Sequence, residues 1–304
     1  MSARASLQIG GIRFALQCSE SEIYFESDPA YFSFLSPNCS VDVTDIEVTV
    51  ITSSLPDISG MQQIFESGQS WSMFRDGEEY FLALNPPAFG TDTIWWIARF
   101  GPNPAAVAIY CSTAMIKVTG QDKTVVNPLK YPLDQLLLMY ALAEREGALV
   151  HAAGLSINGK GYIFPGRSGA GKSTLASQCD GFAGLELLSD DRIVVRRAGK
   201  GFHMYGTPWP GEAGAAMNTN VPLKALFFLT QSGDNCIRPM QSAEAVRRLL
   251  PVLSVPWYDS GTTAKILEFC DSLVSCIPAY ELQFRPEKDV ADLLAGFSSS
   301  LSTE

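Results

Sequence analysis

The octapeptide Gly166-Arg167-Ser168-Gly169-Ala170-Gly171-Lys172-Ser173 lies between an apolar run ending YIFP and a helix-forming TLASQC segment. A Gly-x4-Gly-Lys-Ser spacing on a strand–loop–helix path leaves few options for the surrounding chain, because the loop needs a strand to deliver it and a helix to leave it. The glycines permit torsions that turn successive N–H groups inward, and the helix N-terminus adds its positive dipole, so polyphosphate is held by fixed donors. Lys172 is then placed to neutralise phosphate charge, Ser173 to offer its hydroxyl to Mg²⁺, and Thr174 to continue the first helical turn.

The rest of the chain is organised around this loop. Residues 5–128 alternate β-prone runs (IRFALQC, DIEVTVIT, YFLALN, TIWWIARF, AVAIYCS) with the turn clusters ESDPA, DGEE, NPPAFGTD and GPNP, which predicts a sheet-rich domain over 1–128. No catalytic cluster is legible there, and the Trp95–Trp96 pair reads as core in preference to a partner surface. YPLDQLLLMYALAEREG then places Leu133, Leu136, Leu137, Tyr140 and Ala141 at helical spacing, with Gly147 as the expected C-cap. Beyond it, ALVHAAGLSI and YIF flank the turn NGKG, a hairpin signal. LELLSDD, RIVVRR, KALFFLT and YELQF read as strands, and SAEAVRRLL, SGTTAKILEFCDSLVSC and PEKDVADLLAGF as helices. An α/β domain with a mixed sheet is expected over 129–304.

Asp190 and Asp191 end an apolar strand, where ligands of α/β sheets bind, and alternation along a strand lets at most one of them point straight at a phosphate. A carboxylate is needed near a metal, and another to take the proton from an attacking hydroxyl. His151, 21 residues before Lys172, reads either as a buried side chain or as a neighbour that orients the acidic pair. His203 reads as a hairpin residue. Gly206-Thr207-Pro208-Trp209-Pro210-Gly211-Glu212 reads as a rigid turn or as a lid that contacts an acceptor.

Together, His151-Ala-Ala-Gly, the loop and Leu188-Ser189-Asp190-Asp191 resemble the catalytic domain of the HPr kinase/phosphorylase family, over roughly residues 130–300. The resemblance implies a P-loop kinase domain like the nucleotide core of phosphoenolpyruvate carboxykinase. It implies that residues 166–174 bind ATP, that Ser173, Asp190 and Asp191 serve Mg²⁺, and that Asp190 is the general base assisted by His151, with Lys172 on the phosphates. Two departures stand out: Thr174 replaces that family's usual glutamate, and no counterpart of its second conserved loop follows Asp191. The chain is closer to the HPr-kinase-like proteins found near peptide-maturation genes.

The function expected is transfer of the γ-phosphoryl group of ATP to a hydroxyl, a serine of a protein or peptide or a small hydroxylated metabolite. A nucleotide-binding regulatory or scaffold module is the alternative, and a motor-type ATPase is disfavoured because Asp191 stands where such strands carry glutamate. Composition excludes other classes. Net charge is −10, with −8 of it in residues 1–128, which disfavours nucleic-acid binding. Two histidines cannot form a multi-histidine zinc site. Seven cysteines without CxxC argue against a disulfide framework, and no secretory or membrane-spanning run is visible, so a cytoplasmic location and no membrane partner are expected. Homo-oligomerisation is expected on general grounds.

Overall fold

A computed structural model describes residues 4–26, 28–35, 44–68, 70–85 and 93–301. Cys39 and most of the NPPAFGTD turn lie outside the described residues; the six described cysteines are free thiols. The chain divides into one unit of Met1–Gln8 with Ile12–Ala141, and a second of Ile9–Gly11 with Leu142–Glu304.

The first unit holds strands β1 (Arg4–Ile9), β2 (Ile12–Cys18), β3 (Ile23–Phe25), β4 (Ile46–Thr52), β5 (Gln62–Ser67), β6 (Trp71–Asp76), β7 (Glu79–Leu84), β8 (Trp96–Phe100), β9 (Ala106–Cys111), β10 (Ile116–Thr119) and β11 (Asp122–Val125). Eight of them form one sheet in the order β1-β2-β4-β9-β8-β7-β6-β5, and β10-β11-β3 form another. Alternation explains the first: Phe14 and Leu16 of β2, Val48 and Val50 of β4, and Val107 and Ile109 of β9 are buried at every second position. Trp96 is buried and Trp95 half-buried. Helix α1 (Leu133–Ala143) sets Tyr140 against Tyr80 and Phe100, each at 6.0 Å between ring centroids. The division between units falls inside α1, between Ala141 and Leu142, rather than at the expected 128/129.

Gly147 is not a C-cap. The left-handed residue is Glu146 (φ 47°), and Gly147 opens strand β12 (Gly147–Ile157), where a Cβ would lie 2.6 Å from Arg196 Cγ. The second unit continues with β13 (Lys160–Pro165), α2 (Lys172–Cys179), β14 (Leu185–Ser189), β15 (Arg192–Ala198), β16 (Gly201–Tyr205), β17 (Asn220–Gln231), β18 (Cys236–Met240), α3 (Ser242–Leu249), α4 (Ser260–Cys276), β19 (Ala279–Phe284) and α5 (Asp289–Ser300). Asn158 and Gly159, both at positive φ, close the two-residue β12–β13 hairpin in the manner of a type I′ turn.

The order β13-β12-β15-β16-β17-β19-β18 closes on itself, because β13 also pairs in parallel with β17. Two long strands make this closure. β12 pairs with β15 through residues 147–151 and with β13 through 152–157, while β17 passes from β16 to β13 and β19. Alternate residues Ala153, Leu155, Ile157 of β12, Tyr162 and Phe164 of β13, Ala225, Phe227, Leu229 of β17, and Leu282 and Phe284 of β19 share one core with Leu175 of α2 and Leu294 of α5. Phe227 is fully buried and stacks on Phe164 with centroids 5.5 Å apart. Phe227→Ala is expected to cost about 3–5 kcal/mol in chemical denaturation; a loss below about 1 kcal/mol would contradict this packing.

Candidate phosphate-binding cleft

The glycine-rich loop leaves β13 at the carboxyl end of a strand parallel to β17, the place where open α/β sheets bind ligands. Gly169 (φ 81°) and Gly171 (φ 99°) adopt left-handed torsions, Gly171 as the N-cap of α2, and a Cβ on Gly171 would lie 3.0 Å from Phe284. Here the sequence type is dictated by torsion and space together. Gly166 N donates to His151 O (3.1 Å), so the start of the loop is tied to the middle of β12.

The acidic pair arrives at the same point from the other edge of β12. Gly154 pairs with Ser189 and His151 with Arg192, so β14 and β15 form one run along β12, with Asp190 and Asp191 between them. Ala152 N donates to Asp191 O (3.1 Å). Successive side chains on such a run diverge, and the two carboxylates have separate partners.

Asp191 Oδ1 lies 3.0 Å from His151 Nε2, and Arg192 Nε is 3.5 Å from Oδ2. The His151 hydrogen bond holds Asp191 below the usual carboxylate range against the opposing effect of burial, helped by the Arg192 charge. Asp190, only 2 % exposed, instead accepts the backbone N–H groups of Gly211 (2.8 Å) and Ala215 (3.3 Å) on Oδ1 and that of Ala213 (2.6 Å) on Oδ2. The histidine contact expected at Asp190 is thus made to Asp191. Each Asp190 oxygen accepts at least one backbone N–H.

Lys172 is 6 % exposed and folds back on its own loop, donating to Gly166 O (2.7 Å) and Arg167 O (3.2 Å), with Nζ also 3.0 Å from His151 Nε2. Burial pushes its ammonium pKa down, and the Asp191 charge opposes that shift. Nε2 thus faces a donor and an acceptor at equal distance. In any one protonation state it serves only one of them: as N–H it donates to Asp191, and as a bare nitrogen it accepts from Lys172.

These groups line a cleft of ≈ 540 Å³ with Ser168, Gly169, Gly171, Ser173, Thr174, Gly211, Glu212 and Gln231. Gly166, Arg167 and Ala170 of the loop are not among the lining residues, and His203 lies elsewhere, in β16, with Nδ1 2.9 Å from Asn220 Oδ1. Among the described residues no group of three His, Cys, Asp or Glu side chains is assembled to hold a metal. Sequence reasoning missed Gln231, although a polar residue closing the strand KALFFLT at its carboxyl end was a usable signal. It also missed the alternation of small residues Gly211, Ala213 and Ala215, which lets the backbone reach Asp190; a Cβ on Gly211 would sit 2.8 Å from Asp190 Oδ2.

The loop after β16 is held at several further points. Gly206 N donates to Thr219 O (3.0 Å), Met217 N to Leu188 O (2.9 Å), and buried Thr207 Oγ1 to Arg192 O (2.7 Å). A Cβ on Gly206 would fall 2.0 Å from Met217 O. Gly206→Ala is therefore expected to displace this loop and make it a preferred site of limited proteolysis; an unchanged cleavage pattern would contradict the contact.

Fold and site define a mixed α/β protein whose glycine-rich loop opens on a polar cleft beside a histidine–aspartate pair. The chain belongs to the ScmC family, whose model, SynChlorMet cassette protein ScmC, matches residues 115–284. Among solved structures it is similar to the Hpr(Ser) kinase/phosphatase from Coxiella burnetii, at 12% identity and a TM-score of 0.29, over 51% of this chain and 96% of that one. No curated protein matches. No helix among the described residues is long and apolar enough to cross a membrane.

Proposed function

We propose that the cleft binds ATP with Mg²⁺ and transfers the γ-phosphoryl group to a hydroxyl, with the serine of a protein or peptide as the acceptor favoured over a small hydroxylated metabolite. The observation that carries this reading is the His151–Asp191 contact of 3.0 Å at the mouth of a Gly-x4-Gly-Lys-Ser loop. An oriented carboxylate beside the loop is what accepting the proton of an attacking hydroxyl requires.

The residues fit a magnesium nucleotide. Gly169 and Gly171 hold left-handed torsions, a Cβ on Gly169 would meet only open space, and Mg²⁺ is usually held by one or two protein oxygens plus phosphate and water, so a preassembled protein cage is not required. When bound, Mg²⁺ neutralises charge developing on the β- and γ-phosphate oxygens, with Ser173 as its loop ligand.

Polyphosphate competes with Gly166 O and Arg167 O for the Lys172 ammonium. As Lys172 moves to the phosphate, His151 Nε2 is left to Asp191 alone and orients that carboxylate. The acceptor O–H then yields its proton to Asp191 as its oxygen bonds to the γ-phosphorus, and the bond from that phosphorus to the β,γ-bridging oxygen breaks to release ADP. Asp191 thereby takes the proton-accepting role that the family resemblance assigned to Asp190.

The test is transfer of γ-labelled phosphate from ATP with Mg²⁺ into a fractionated lysate of the source cells, comparing wild type with Lys172→Ala and Asp191→Asn. A labelled protein, peptide or metabolite lost in both variants is the expected result. ATP binding without any labelled product would overturn the kinase reading in favour of a nucleotide-switched module.

A further inference from the structure

Glu212 is an acidic residue lining the cleft to which the proposed chemistry gives no role. It lines the cleft together with Ser173, and it is flanked by Gly211 and Ala213, whose N–H groups are both bound by Asp190. A third donor, Ala215, closes the arrangement, so one buried carboxylate fixes alternate amides on both sides of an exposed residue. The loop helix itself brings no carboxylate to the cleft, since the first turn of α2 is Lys-Ser-Thr with no acidic residue. A carboxylate on the metal side must therefore come from elsewhere, and Asp191 is engaged by His151 and Arg192.

We propose that Asp190 is a positioning residue, a latch on the 211–215 backbone, and that the latched segment presents Glu212 as the metal-side carboxylate of the cleft. This rests on the nucleotide reading above. A buried carboxylate accepting three backbone N–H groups is among the stronger ways to pin a loop, because each bond is charge-assisted and loss of the acceptor leaves several donors unpaired. Its effect on chemistry passes through the loop, so it should alter metal affinity and loop order without abolishing proton acceptance.

Two measurements on the full chain test the proposal. Hydrogen exchange over residues 206–217, without nucleotide, should speed up about tenfold or more in Asp190→Asn and stay unchanged in Asp191→Asn. Ala213→Pro, which deletes one donor on the exposed loop, should speed exchange at Gly211 and Ala215 and serves where Asp190→Asn does not fold. Mn²⁺ titrated into the ADP complex and followed by electron paramagnetic resonance should bind about 10–100-fold more weakly in Glu212→Gln and in Asp190→Asn, with ADP affinity in the absence of metal unchanged.

Unchanged exchange in Asp190→Asn and Ala213→Pro would overturn the latch, and unchanged Mn²⁺ affinity in Glu212→Gln would overturn the metal role. A wild-type chain that binds no ADP would overturn the nucleotide reading and the Glu212 role with it, while the exchange result still decides the latch.

Discussion

Asp191→Asn is expected to lower phosphoryl transfer by about 10²–10⁴-fold while nucleotide binding persists, because the amide keeps the shape of the side chain and loses the proton-accepting oxygen. Single-turnover transfer alongside equilibrium ATP binding checks it; a variant that transfers at the wild-type rate would remove Asp191 from the mechanism. The same group makes an acid-stability prediction. Asp191's folded pKa lies below its unfolded value, so its pairing stabilises the fold above the unfolded pKa and that contribution disappears as pH falls through the lower folded value. Below about pH 4 the wild type should therefore lose its advantage in melting temperature over Asp191→Asn. A gap that widens on acidification would show that the fold does not hold Asp191 below its unfolded pKa.

Lys172→Met is expected to reduce turnover by about 10²–10³-fold or more, as removal of a fixed charge from a phosphate site does, yet to leave the melting temperature level or raised. The sign follows from burial. A lysine whose folded pKa is lowered costs stability at neutral pH, where the ammonium is retained in the fold, and the cost fades only as pH rises towards its ordinary value. Methionine fills a comparable volume without that desolvation. A drop of several degrees would instead mean that the bonds from Nζ to Gly166 O and Arg167 O hold the loop together.

Much of the second unit was legible in its sequence because its signals are local. The Asn158-Gly159 turn needs two positive φ angles, Gly171 needs φ 99° as the N-cap, and β12, β13 and β17 carry apolar stretches that feed the core shared with α2 and α5. Gly147 misled for a local reason too: a glycine after a helix reads as a cap, whereas here it is required by the approach of Arg196. The first unit's strands were visible from their alternation, but their order was not, since β4 lies in parallel between β2 and β9 by pairings that no periodicity encodes.

The candidate site divides along the same line. Its residue types were all present in the linear pattern: the glycines, Lys172, Ser173, His151 and the two adjacent aspartates. Which aspartate meets which partner was decided by tertiary structure. The two lie between β14 and β15, and only the return of the 211–215 backbone gives Asp190 three amide N–H donors while Asp191 contacts His151. Spacing along a chain determines what a loop can bind; the partner of a buried charge is set by whichever distant segment supplies the unpaired donors.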